Sequence, residues 1–122
     1  LLRKLIQRFN NSAGARTAAP IRAFAHITGG GFIDNIPRVL PPRCDVRIRR
    51  GTWEVLPVFE LLAKSGRIPE AEMYQVFNMG IGMVAIVAGD AADAVVRFVR
   101  RQGTKTWVIG EVVRGRGCVV FG

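Results

Sequence analysis

The stretch His26-Ile27-Thr28-Gly29-Gly30-Gly31-Phe32-Ile33-Asp34-Asn35-Ile36-Pro37-Arg38-Val39-Leu40-Pro41 decides how the rest of the chain is read. An apolar run, residues 21–27, leads straight into three consecutive glycines. Glycine takes positive φ without steric cost and lets a ligand approach the backbone closely. A strand that ends in glycines and opens a helix leaves several N–H groups unpaired around one point, with positive partial charge. Such a point accepts a phosphate or a developing oxyanion. His26 and Thr28 lie two apart in an extended run, so their side chains share a face. Beyond the turn, Asn35 and Arg38 supply an amide and a guanidinium, and Asp34 supports the start of the short helix. A glycine cluster by itself equally describes a tight turn with no ligand.

Two later stretches narrow the reading. Gln75-Val76-Phe77-Asn78-Met79-Gly80-Ile81-Gly82-Met83-Val84 is a second glycine-bearing turn entering an apolar strand, and Trp107-Val108-Ile109-Gly110-Glu111-Val112 lies near the end. In order and spacing, the three blocks resemble the C-terminal domain of phosphoribosylformylglycinamidine cyclo-ligase, also called AIR synthetase. The likeness runs from residue 24 to residue 113.

Composition sets the outer bounds. At 122 residues the chain is one domain with room for a core, and 49% apolar content fits a globular protein. No apolar run approaches the roughly 18 residues that a membrane helix needs. The N-terminal residues carry charged Arg3, Lys4 and Arg8 and no signal-peptide cleavage pattern, so a cytoplasmic protein is expected. Cys44 and Cys118 are far apart, outside any C-x-x-C pair, and His26 is the lone histidine, so no metal site is expected. The net charge of +9 points to an anionic partner, yet the basic residues are scattered and not interleaved with stacking aromatics. A solvated basic surface is the plainer reading. A basic nucleic-acid-binding module stands as the alternative from another class, and a binding constant steep in salt would mark it.

Taken in order, residues 1–9 read as an amphipathic helix, with Leu1, Leu2, Leu5 or its neighbour Ile6, and Phe9 at near-helical spacing. Residues 10–20 read as a mobile loop of small and polar types. After the first strand, residues 21–27, and the brief helix ended by Pro37, residues 45–49 alternate as a strand with one wet face. Residues 57–65 read as a helix with Gly66 as its stop and Val58, Leu61 and Leu62 as its buried stripe. A second helix, residues 69–77, turns Met73, Val76 and Phe77 inward. A strand, residues 83–88, follows, then a helix capped by Asp90 with Val95, Val96 and Val99 on its core face. Residues 107–113 and 118–121 read as strands joined by the turn Arg114-Gly115-Arg116-Gly117. The mixture predicts an α+β fold, with helices on one face of a mainly antiparallel sheet.

The candidate catalytic residues are His26, Thr28 and Asn35. The candidate substrate- or phosphate-binding residues are Gly29, Gly30, Gly31, Asn78 and Gly80. Imidazole titrates near neutral pH, a threonine hydroxyl donates to phosphate, and an asparagine amide orients a ligand or ties its own turn. No Ser-His-Asp set, no paired carboxylates and no G-x-x-x-x-G-K-[ST] loop is present.

The resemblance implies more than these residues do. It implies ATP-dependent closure of the imidazole ring of formylglycinamidine ribonucleotide, giving aminoimidazole ribonucleotide in purine biosynthesis. It implies that ATP and magnesium are bound mainly by an N-terminal domain absent from this sequence, along with the family's first strand. It implies a homodimer in the full-length form and an isolated chain that is inactive. Related ATP-using families share the plan: formylglycinamidine synthetase, selenophosphate synthetase, thiamine-phosphate kinase and the hydrogenase maturation factor. The N-x-P-R-x-L-P continuation from Asn35 to Pro41 fits the cyclo-ligase better.

Overall fold

The computed structural model describes residues 1–11 and 18–122. Most of the loop expected over residues 10–20 lies outside the described residues, at 12–17. In chain order the elements are α1 (Leu2–Phe9), β1 (Ile21–His26), α2 (Gly31–Asn35), β2 (Cys44–Ile48) and α3 (Pro57–Gly66). They continue with α4 (Glu70–Val76), β3 (Met83–Val87), α5 (Ala92–Arg101), β4 (Gly110–Arg114) and β5 (Val119–Phe121). The class is α+β. Among the described residues no helix is long and apolar enough to cross a membrane. The chain divides into two compact units, one of residues 1–23 and 85–108, the other of residues 24–84 and 109–122.

In the first unit, α1 buries Leu5, and Phe9 sets its ring edge-on to Phe98 of α5, 5.8 Å between centroids. Asn10 and Ile21 bond reciprocally: the Asn10 amide donates to the Ile21 carbonyl (3.1 Å) and accepts from the Ile21 N–H (2.9 Å). Helix α5 buries Val95 and Val99, one turn apart on one face. Asp90 does not cap it. Gly89–Ala91 instead forms a 3₁₀ turn closed by the Ala91 N–H on the Ala88 carbonyl at 3.0 Å, and no side-chain cap is made. Strands β1 and β3, each divided between the two units, pair with each other. Bonds from Ala88 N–H to Pro20 O (2.8 Å) and from Ile27 N–H to Gly82 O (2.9 Å) make the pair antiparallel.

The second unit is built on a three-stranded sheet in the order β4-β2-β5. Val46 and Ile48 of β2 are buried while Arg47 between them is exposed, the alternation a half-wet strand requires. The segment after β4 does not make a hairpin. β2 lies between the two last strands, antiparallel to β4 (Val46 opposite Val112) and parallel to β5 (Val46 opposite Val119). Asp45 supports this arrangement. Its carboxylate accepts the N–H groups of Arg116 (2.7 Å), Gly117 (3.0 Å) and Cys118 (2.8 Å), bending the connection into an arch across β2.

Phe32, Trp53, Tyr74 and Phe121 form the aromatic heart of this unit, with ring centroids 5.2 to 6.3 Å apart. Burial, with the Glu70 charge adding to it, pushes the Tyr74 hydroxyl above its ordinary acidity range, while Arg50 acts the other way. Helix α3 departs from expectation. It buries none of its residues, and Val58 (49%), Leu61 (63%) and Leu62 (39%) stay exposed. Periodicity marks a helix's apolar stripe, but Phe59, on another side, makes the inward contact, 6.2 Å from Phe77. The left-handed residue ending α3 is Arg67 (φ 51°), one past Gly66. In α4, Met73 and Tyr74 are buried while Val76 is exposed.

Candidate functional site

The site is assembled from two turns in the second unit. Strand β1 runs out at His26, buries Ile27 (1% exposed), and turns at residues 28–31. The Gly31 N–H donates to the Thr28 carbonyl at 2.9 Å, and Gly30 sits at φ 90°, ψ 0°, the geometry of a type II turn. A side chain at Gly30 would also run into that of Asp34, so this position accepts glycine alone. Gly31, itself at φ 56°, presses its Cα against the carbonyls of Tyr74, Gln75 and Phe77. That close approach docks α2 onto α4.

The second turn, residues 78–81, leads into β3. The Ile81 N–H donates to the Asn78 carbonyl at 2.9 Å, and both central residues, Met79 (φ 50°) and Gly80 (φ 91°), have positive φ, as a type I′ turn requires. The left-handed conformation costs a non-glycine residue about 1–2 kcal/mol. Burial of the Met79 side chain (6% exposed) and a bond from the Trp53 indole N–H to its carbonyl (3.0 Å) offset that cost. Because Ile27 bonds Gly82, the two turns emerge together at one end of the β1–β3 pair.

Each candidate residue has a defined place here. His26, Thr28 and Gly29 are exposed, on either side of buried Ile27, so the shared face of His26 and Thr28 is a solvent-facing one. A side chain at Gly29 would meet nothing within 4 Å. The N–H groups of Gly29 and Gly30 carry no bond among the described residues, whereas that of Gly31 is taken by Thr28. Asn35 is the only buried polar residue among those described, at 5% exposure. Its Nδ2 points back at the carbonyls of Gly31 (2.7 Å), Gly29 (3.2 Å) and Thr28 (3.4 Å) and gathers the first turn around itself. Asn78 accepts the Gly80 N–H on its Oδ1 at 3.0 Å, so its amide oxygen ties its own turn. Gly80 lies on the exposed side, next to the Glu54 carbonyl and the side chains of Leu56 and Phe59.

Sequence reasoning missed Trp53 and Met79. A buried tryptophan needs a partner for its N–H, which is a signal, but nothing local names Met79, 26 residues away.

An α+β fold with paired glycine turns at one end of two antiparallel strands defines the architecture. The chain matches, over residues 1–122, the family model described as AIR synthase related protein, C-terminal domain, and it belongs to that family. It is 47% identical over 117 residues to phosphoribosylformylglycinamidine cyclo-ligase of Geobacillus thermodenitrificans, covering 96% of this chain and 31% of that protein. It is 44% identical to the enzyme of the same name from Geobacillus kaustophilus, again over 96% and 31%. With that from Bacillus cytotoxicus it shares 48% over 102 residues, 84% of this chain and 29% of the relative. The chain thus spans about a third of the length of these relatives.

Proposed function

We propose that this chain is the C-terminal part of an ATP-dependent phosphoribosylformylglycinamidine cyclo-ligase and that its two glycine turns face the phosphorylated ribonucleotide substrate. The observation that carries the reading is the pairing of the turns, with Gly29 and Gly30 N–H groups left unbonded among the described residues, beside exposed Thr28 and His26. Backbone amides held by a folded turn stabilise negative oxygen without reorganising, which is what a phosphoryl-transfer and ring-closing reaction asks of a protein. On this reading Gly29 and Gly30 donate to a substrate or phosphoryl oxygen, and Thr28 adds its hydroxyl. His26 polarises or handles a proton nearby. Gly31 and Asn35 act from beneath, by shaping the turn. Asn78 and Gly80 form the opposite wall, Asn78 offering its Nδ2.

ATP and magnesium are left to the part of the enzyme that this chain does not span. The same reading carries with it a cytoplasmic enzyme, homodimeric at full length. The test is to mix the chain with the N-terminal part of a cyclo-ligase relative and follow ATP-dependent formation of aminoimidazole ribonucleotide. Turnover that needs both parts supports the reading. A mixture that never turns over, although the N-terminal part binds ATP and both parts are folded, removes it.

A further inference from the structure

Trp53 is nearly fully buried, at 5% exposure, and lies on neither turn. Its indole N–H donates to the carbonyl of Met79, the residue that must hold positive φ for the second turn to close. Its ring lies 5.7 Å from that of Phe32, the residue directly after Gly31, at the end of the first turn. Phe32 is itself 0% exposed and held on its other sides by Tyr74 and Phe121. One side chain therefore touches both turns from behind, by a directional bond on one side and ring packing on the other. A buried carbonyl deprived of the donor that meets it among the described residues is costly, so the Met79 peptide has a firm preference for this arrangement.

We infer that Trp53 is a positioning residue that couples the two glycine turns, so that both present their ligand-facing groups as one unit. As a statement about ligand binding the inference rests on the reading given under Proposed function. As a statement about the turns it stands without it. Met79 carries the link to Gly80, and Phe32 carries the link to Gly29 and Gly30.

The test uses the 122-residue chain itself, by amide NMR, with Trp53→Phe and with Trp53→benzothienylalanine, which keeps the two-ring shape but has sulfur in place of N–H. Without ligand, both variants should speed hydrogen exchange of the Ile81 N–H, which closes the second turn, roughly tenfold. The Gly31 N–H, which closes the first, should speed up in Trp53→Phe and less in the shape-keeping variant. Unchanged exchange at Ile81 overturns the inference, and so does acceleration confined to Ile81 in both variants. Titration with formylglycinamidine ribonucleotide, with the N-terminal part of a cyclo-ligase relative present, supplies the second arm. In the unaltered chain Gly29, Gly30 and Gly80 should shift along one binding curve. In both variants affinity should fall roughly tenfold and the Gly80 response should separate from that of Gly29 and Gly30. A merely structural tryptophan would lower thermal stability and leave the three responses together, which overturns the coupling. If none of the three shifts in the unaltered chain, the substrate-facing reading fails, while the exchange data still decide the role of Trp53.

Discussion

Two glycine-rich turns of this molecule, the one at residues 28–31 and the arch at 114–118, are built from similar residues and end differently. In the arch, three successive backbone N–H groups converge on one oxygen of Asp45, and Gly115 is pressed so closely onto that carboxylate that no side chain fits. Those bonds, the Cys118 and Arg116 N–H first, hold the Asp45 carboxyl below its ordinary acidity range. In the first turn, the Gly29 and Gly30 N–H groups meet no such oxygen among the described residues, and Gly29 borders open space. Amides that meet at one point make an anion cradle, as those of the arch do. What differs is whether the chain supplies the anion. An arch that carries its own carboxylate is a structural joint. A turn without one has that place open for the oxygen that the proposed reading assigns to the substrate.

Four changes break or sharpen that contrast. The largest effect is expected at Gly31, where a valine meets both a left-handed backbone and the carbonyls ending α4. Gly31→Val should cost about 3 kcal/mol, read from denaturant midpoints; a loss under half of that would mean α2 docks loosely. Asn35→Ala strips the first turn of its internal tie and should cost about 2 kcal/mol. Its amide exchange should rise at Gly31 well before it rises at Ile81.

At the arch the effect is local and depends on acid. Asp45 binds its proton less readily in the folded chain than in the unfolded one. Its support is therefore complete above the ordinary carboxylate range and is lost as pH falls through the lower folded value. Amide shifts of Arg116, Gly117 and Cys118 should titrate together in that acid window, and Asp45→Asn should abolish the titration. Shifts that stay flat in the unaltered chain would contradict the carboxylate's role. The smallest effect on stability is expected at Gly29, where a methyl group meets nothing. Gly29→Ala should leave folding within about 1 kcal/mol while weakening ribonucleotide binding, since the methyl stands in the approach to the turn. Unaltered binding would mean the ligand does not come from that side.

Local pattern made much of this legible. Alternation located β2, the spacing of Val95 and Val99 located the buried face of α5, and the glycines with Asn78 located both turns. What stayed hidden is non-local. No period in the sequence says that β2 separates β4 from β5, because that order lies in long-range strand pairing and in a carboxylate that reaches amides more than 70 residues away. The apolar spacing of α3 is genuine, yet it does not say whether the core or solvent takes that face. Asn35 reads equally well as an outward amide or an inward tie, and only the three turn carbonyls around its Nδ2 decide between them.

The uncovered leucines of α3 have a colloidal consequence. Side by side, Leu61, Leu62 and Val58 make a greasy strip that a neighbouring molecule would cover at a gain in free energy. A net charge of +9 on each chain keeps such neighbours apart at low ionic strength. Salt shortens the reach of that repulsion to about 8 Å near physiological strength and about 3 Å at 1 M, without weakening the apolar attraction. Concentrated stocks of the chain should therefore keep best in dilute buffer and cloud as salt is added, the reverse of ordinary salting-in.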